Sequence, residues 1–249
     1  MLKLIKCELI KIKNLKPIIL SFIVPLLMSI VGLINIYRGL VETTDLWDAV
    51  YNQTFLLYAS LTLPLAITII ISIQWRLEYK KNNILNLCSS SIKLNKIYLS
   101  KIMTTLLIIF LNIIILIISV LIFSNILIPK ESFRYYVIYA PIIAFLYSIP
   151  LVCLQHLISM YNRNFIGSVS VGIILSFIGF LLSHTSLGIF IPNTYIVCGS
   201  FIGVSSYPIA TDMMATITFP YINLLILVVP ILSIILYFLG NYLFSKKEF

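Results

Sequence analysis

Long apolar runs without a single charged side chain dominate the chain. Six such runs, each of at least 21 residues, occupy 17–37, 49–75, 102–129, 135–162, 164–211 and 213–245. A helix rises about 1.5 Å per residue, so about 20 residues cross a hydrocarbon core of roughly 30 Å. The runs lack the alternation of apolar and polar positions that a membrane barrel requires. We predict six membrane-spanning helices, at about 18–37, 55–75, 103–124, 136–158, 165–183 and 222–244.

The fifth run is long enough for two spans. Its second half contains Pro192 and Pro208 and several glycine and serine residues. Such a composition favours broken helices, which survive at membrane depth only when they are buried against protein. We therefore interpret 184–221 as an outer re-entrant segment. A seventh span is the alternative, but it would divide the basic residues less asymmetrically across the membrane.

A helical pattern with a different character marks the first 16 residues. Leu2, Ile5, Leu9 and Ile12 recur at intervals of three and four positions, which places them on one stripe of a helix. Lysines flank the stripe, and Pro17 favours a helix boundary there. We predict a basic amphipathic helix over 1–16 that lies along the inner leaflet. The alternative is a plain topology signal.

A second candidate element lies in 76–101, between the second and third predicted spans. Within it, a short apolar patch at 84–87 is flanked by two asparagines and a run of serines. A helix of two or three turns there would present an apolar face to the cytoplasm, and such a face usually needs a partner. A docking helix for another subunit and a helix lying against lipid are both open.

Composition and charge support a membrane protein with a fixed orientation. Hydrophobic residues make up 61% of the chain and charged residues 10%, against about 25% charged in a soluble domain. Mean hydropathy is +1.09. If the N-terminus is cytoplasmic, 14 of the 17 Lys and Arg residues fall on the inner side. The net charge of +9 therefore fits the positive-inside rule rather than a nucleic-acid surface, and we predict that both termini are cytoplasmic.

The sequence contains no recognisable enzyme motif. None of the nine glycines precedes a lysine, so a P-loop is absent, and neither GxSxG nor HExxH occurs. All 25 charged residues lie outside the six spans as drawn, which disfavours an ion-coupled carrier. We predict that the chain is not an enzyme and binds no metal or cofactor itself. It would form the membrane part of a pump that a separate ATPase drives.

Three stretches of the chain resemble the permease subunits of ABC type-2 exporters, and among these the lantibiotic-immunity permeases of Gram-positive bacteria. They are 8–14, 75–83 together with 93–101, and 189–195. The first is similar to an E-x-x-K-x-K stretch in the helix that precedes the first span. The second is similar to the loop that carries a glutamate and the coupling helix seated in the ATPase.

The resemblance implies a role for each stretch. The implied interfacial helix contains Leu2, Ile5, Glu8, Leu9, Lys11, Ile12 and Lys13. The implied ATPase-coupling residues are Glu78, Asn82, Asn83, Ile84, Leu85 and Leu87. The third stretch is similar to an outer segment before the last span, here with Pro192 and Tyr195.

The resemblance also implies the assembly and its task. A single all-α transmembrane permease domain over 1–249 would lie in the bacterial cytoplasmic membrane. It would pair with a second permease subunit, identical or a sister chain, and with an ABC ATPase subunit that binds the ATP. The implied cargo is a lantibiotic or similar antimicrobial peptide, removed from the membrane to confer immunity. Export of a drug, an ion or a lipid-linked polymer is the alternative, and a stand-alone carrier or membrane enzyme is less favoured.

Overall fold

The regular structure of the chain is helical wherever it is described. A computed structural model describes residues 1–12, 16–37, 46–80, 92–127, 134–162, 164–183, 185–202 and 221–246. The helices are α1 (Leu2–Ile12), α2 (Lys16–Tyr37), α3 (Leu46–Leu57), α4 (Leu63–Tyr79), α5 (Leu94–Leu127), α6 (Tyr136–Tyr147), α7 (Ile149–Tyr161), α8 (Phe165–Leu182), α9 (Pro192–Ser200) and α10 (Ile222–Lys246). A π-helical turn at Tyr58–Thr62 joins α3 to α4, and a 3₁₀ turn at Ser186–Phe190 precedes α9.

Five helical segments are long and apolar enough to cross a membrane. They are Trp47–Tyr79, Leu94–Asn125, Tyr136–Tyr161, Phe165–Leu182 and Ile222–Lys246. These segments match the last five of the six predicted spans, although the first of them begins eight residues before the predicted boundary at 55. The remaining predicted span lies within α2, whose described residues include a shorter apolar stretch, Ser21–Asn35. A total of six spans therefore stays a prediction.

The segment Trp47–Tyr79 is continuous because a π-helical turn accommodates a proline. Pro64 lacks a backbone N–H, and its ring crowds the carbonyl four residues earlier. The wider turn at Tyr58–Thr62 lies immediately before it and relieves that crowding. The turn also carries a cross-helix link, because Tyr58 donates a hydrogen bond of 2.6 Å to Asn112 Oδ1 on α5. Asn112 in turn donates to the Ser21 carbonyl on α2.

The centre of the bundle is formed by α4, which packs against α2, α5, α7 and α8. Small residues allow the closest approach between α4 and α8. A Cβ added to Gly172 on α8 would overlap the Thr68 side chain on α4, so the two helices meet at van der Waals contact only because Gly172 has no side chain. Close contact through small residues is a general way to associate helices in lipid, where the hydrophobic effect does not drive them together.

The last helix, α10, is attached to the bundle by a narrow stripe. Leu225, Val229, Gly240 and Phe244 are its buried residues, and it packs mainly on α7 and α5. A Cβ at Gly240 would overlap the hydroxyl of Tyr98, which explains the glycine there. The rest of its apolar surface faces outward, as expected for a helix that is solvated by lipid on most sides.

The predicted outer segment 184–221 is described only up to residue 202 and again from 221. All nine residues of α9 are buried, and α9 packs against α6. Tyr221 donates a hydrogen bond of 2.7 Å to the Ser183 carbonyl, so the two ends of the segment lie together. A re-entrant path for the segment stays a prediction, because residues 203–220 lie outside the described part of the chain.

Candidate functional site

Four charged side chains from three helices form a closed cluster at one end of the bundle. The four-charge cluster consists of Glu8 and Lys11 on α1, Glu78 on α4 and Lys101 on α5. Lys101 Nζ lies 2.7 Å from Glu78 Oε1 and 3.0 Å from Glu8 Oε2. Lys11 Nζ lies 2.8 Å from Glu78 Oε1 and 2.8 Å from Glu8 Oε1. Each lysine thus bridges both glutamates, and the formal charges cancel.

The local sequence explains why these side chains converge. Glu8 and Lys11 are three positions apart on α1, which places them on one face of that helix. Ile5 and Ile12 are buried on either side of Glu8, so the same face packs against the bundle. Glu78 occupies the last turn of α4, and the following segment returns the chain to α5. The amphipathic stripe predicted in α1 therefore faces protein at Ile5 and Ile12, whereas Leu2 is 83% exposed.

The burial of the cluster is graded from one side to the other. The exposed side-chain fraction is 1% for Lys101, 4% for Glu78, 7% for Glu8 and 39% for Lys11. Burial by itself would lower the pKa of Lys11, but its hydrogen bonds to Glu78 and Glu8 outweigh that effect and raise the pKa. Lys11 therefore stays charged and closes the cluster on its open side.

A polar network continues from the cluster into the bundle. Lys101 Nζ lies 5.6 Å from the centre of the Trp75 ring, a cation–π contact, and Trp75 Nε1 donates to His156 Nδ1 at 3.1 Å. Because Nδ1 accepts this hydrogen bond, the neutral imidazole carries its proton on Nε2 and donates it to Thr105, 3.1 Å away. Thr105 also lies 3.2 Å from Gln74 Oε1. The network links α4, α5 and α7 next to the cluster, on the side toward the interior of the bundle.

The predicted outer residues lie far from the cluster. Tyr51, near the other end of the Trp47–Tyr79 segment, donates a hydrogen bond to the Ser200 carbonyl at the end of α9. Tyr51 and Glu78 are 27 positions apart, which corresponds to about 40 Å of helix. Pro192 begins α9, and Tyr195 donates a hydrogen bond of 2.5 Å to the Ile189 carbonyl. Both residues hold α9 in place, at the opposite end of the bundle from the cluster.

The structure brings together three of the predicted site residues and adds one that the sequence reasoning missed. Glu8, Lys11 and Glu78 meet, although they were assigned to two separate elements. Lys101 completes the cluster, whereas the sequence reasoning placed it on the inner side, at the end of the family-like stretch 93–101, and gave it no role of its own. A signal was available, since Lys101 immediately precedes an apolar run and its neighbours Ile97 and Ile102 are apolar as well.

The helices extend beyond the six spans as drawn, and some charged residues outside those spans therefore lie within the candidate membrane-spanning helices. Asp48 and Glu78 lie within the candidate span Trp47–Tyr79, and Lys101 lies within Leu94–Asn125. All three are buried. The difference arises because both helices extend beyond the uncharged runs from which the spans were drawn.

Six of the predicted site residues lie outside the described residues: Lys13, Asn82, Asn83, Ile84, Leu85 and Leu87.

The bundle and its buried charges define a multi-helix membrane protein with an internal ion-pair cluster. Residues 4–179 match the family model of the ABC-2 family transporter proteins. The matched region contains all four residues of the four-charge cluster and most of the candidate spans. The chain belongs to that family of transporter membrane proteins. Comparisons with curated proteins and with solved structures gave no significant match.

We predict strong energetic coupling between Glu78 and Lys101. Lys101→Met leaves two glutamates facing one lysine, and Glu78→Gln leaves the reverse excess, so each single change should destabilise the fold by about 3–5 kcal/mol. The double variant restores charge balance. Its loss in the free energy of unfolding should therefore be clearly smaller than the sum of the losses in the two single variants. The measurement is the free energy of unfolding by SDS titration, followed by circular dichroism. Lys96 is an exposed lysine on the same helix, so Lys96→Met should change the free energy of unfolding little. If the loss in the double variant equals the sum of the two single losses, the coupling is contradicted.

We also predict that the cluster holds α1 on the bundle. In a chain whose native cysteines are replaced by serine, Ile12→Cys places a thiol at a position that is 1% exposed. Adding Glu8→Gln removes one of the two carboxylates that hold the lysines, so labelling of this thiol by a maleimide should become faster. Lys3→Gln, on the exposed side of α1, should leave the labelling rate unchanged. Equal rates in all three chains would show that packing alone holds α1.

Proposed function

We propose that this chain is the membrane-spanning permease subunit of an ABC exporter, and that the four-charge cluster transmits movement from an ATPase to the spans. The family membership supports the transport role. The observation that carries the coupling role is the 2.7 Å ion pair between Glu78 and Lys101, which joins the helices on either side of segment 81–91. That segment is the one that the family resemblance assigns to docking on the ATPase.

The geometry supports a specific route for the movement. A push on segment 81–91 reaches α4 and α5 together, because Glu78 and Lys101 tie the adjoining helix ends. It reaches α1 as well, because Lys11 and Lys101 each contact both glutamates. Along α4 the helix continues through the π-helical turn to the outer end, where Tyr51 contacts α9. In this proposal Glu78 acts inside the permease, as a positioning residue, rather than on the ATPase surface.

The proposed assembly contains two permease subunits, identical or sister chains, and an ABC ATPase that supplies the energy. Each permease lies in the bacterial cytoplasmic membrane with both termini on the ATPase side. The proposed cargo is a lantibiotic or similar cationic peptide, expelled from the membrane to the outside. Its support is the resemblance in sequence. A drug, an ion or a lipid-linked polymer is the second candidate cargo.

The coupling role predicts an ATPase that depends on segment 81–91. The tagged chain, purified from its native membrane in a mild detergent, should carry an ABC ATPase that mass spectrometry identifies. Leu87→Glu should abolish this co-purification, because a charge would replace an apolar docking residue. Leu187→Glu provides the matched control, since Leu187 is 58% exposed and lies near α9, at the opposite end of the bundle. A wild-type chain that purifies without an ATPase would contradict the permease assignment.

The cargo assignment predicts peptide protection that depends on the cluster. Deletion of the gene should lower the lantibiotic concentration that growing cells tolerate several-fold, and the wild-type gene should restore it. Lys101→Met, expressed at the same membrane level, should fail to restore protection, whereas Lys96→Met should succeed. If deletion leaves tolerance unchanged while the ATPase still co-purifies, the peptide cargo is wrong and the permease assignment stands.

A further inference from the structure

A groove on the lateral surface of the helix bundle lies between α1, α2 and α5. Its volume is about 630 Å³, within the range of ligand-binding pockets. Ile12 and Ile108 are buried at its floor, where they form a small apolar cluster with Ile70. Ile23 and Leu111 line its open side, and they are 42% and 50% exposed. The groove is therefore apolar and half open, with a buried floor and an exposed rim.

One basic residue contributes its side-chain stem to this apolar lining. Lys6 on α1 contributes to the groove and is exposed, as is Lys3 one turn earlier. Within the described residues, the only acid on α1 is Glu8, which is committed to Lys11 and Lys101. No salt bridge to Lys6 occurs among the described residues. An apolar groove bordered by an exposed lysine thus complements a molecule that has an apolar chain and an anionic head.

We propose that this groove binds an anionic phospholipid, with one acyl chain between α2 and α5 and the phosphate at Lys6. The ammonium–phosphate contact is a charge-assisted hydrogen bond. Basic amphipathic helices at a membrane surface generally favour anionic lipids. The groove also provides an apolar surface for an acyl chain, which a contact at the membrane surface lacks. This surface extends along α5 from Ile108 to Ile115, about 10 Å of helix. This inference stands independently of the proposed cargo and of the ATPase.

The bound lipid would have a structural consequence for α1. Leu9 and Ile12 line the groove, and they lie directly beside Glu8 and Lys11 of the four-charge cluster. A chain that fills the groove packs against the same helix that the ion pairs hold. Occupancy of the groove and closure of the cluster should therefore stabilise one another, since both need α1 on the bundle.

The test is a fluorescence measurement on the full chain in vesicles. Ile23→Trp places a tryptophan on the open side of the groove. The native Trp47 and Trp75 are 2% and 1% exposed, and their signal is subtracted by means of the parent chain. Phosphatidylcholine vesicles contain the same fraction of either dibrominated phosphatidylglycerol or dibrominated phosphatidylcholine. The brominated phosphatidylglycerol should quench the new tryptophan more strongly.

Two lysine variants separate the site from general surface charge. Lys6→Gln should abolish the preference for phosphatidylglycerol, whereas Lys3→Gln, on the same helix and outside the groove lining, should retain it. Lys6→Arg should retain it as well, which shows that the variants at this position still fold. Equal loss in Lys6→Gln and Lys3→Gln would assign the preference to surface charge and overturn the site. Absence of any preference in the Ile23→Trp chain that keeps all its lysines would overturn the site too. No quenching of that chain by either lipid, because protein covers the groove, would also overturn it.

Discussion

The burial of Glu8, Glu78 and Lys101 at one end of the bundle, where the half-exposed Lys11 completes the ion pairs, is the constraint on which this structure depends. A charge removed from water is expensive unless opposite charges and hydrogen bonds satisfy it, and removing one partner leaves the others unsatisfied. In this chain each lysine contacts both glutamates, so no member can move alone without leaving a buried charge. The positions of α1, the end of α4 and the start of α5 are therefore determined together. Apolar packing alone would not select this arrangement, because lipid solvates apolar helix faces as well as protein does.

The same reasoning extends through the bundle, where polar links occur at several depths. Trp75, His156 and Thr105 connect three helices just below the cluster. Farther along, Tyr58 and Asn112 join the π-helical turn to α5. Near the other end, Tyr136 donates a hydrogen bond to Asp48. Each link places a polar group of one helix against a partner on another, so the register between helices is set by hydrogen bonds. Glycines at close contacts complete the packing.

In the proposed function, α1 is the helix on which the mechanical and the lipid contacts converge. Its inner face carries Glu8 and Lys11, which join the helix ends that flank segment 81–91. Its other face carries Lys6 and the wall of the apolar groove. A movement of α1 would therefore change the ion pairs and the lipid site at once. In these two proposals the short N-terminal helix would have a role beyond anchoring, since it would respond both to the position of segment 81–91 and to the lipid in the groove.

How much of this could be predicted from the sequence differs between local and long-range features. The uncharged runs predicted six membrane-spanning helices, and five of these correspond to helices that are long and apolar enough to cross a membrane. This agreement was possible because the length of a hydrophobic helix is a local property that the bilayer thickness sets. The spacing of Ile5, Leu9 and Ile12 likewise predicted α1. The meeting of Glu8 with Lys101 was not predictable, because 93 residues separate them and no local pattern records which helix ends approach. The extension of the helices past Glu78 and Lys101 was missed for the same reason, since only a partner on another helix makes a buried charge tolerable. The sequence alone determined the class and helices of this protein, and the tertiary structure decided which of its charges are buried and paired.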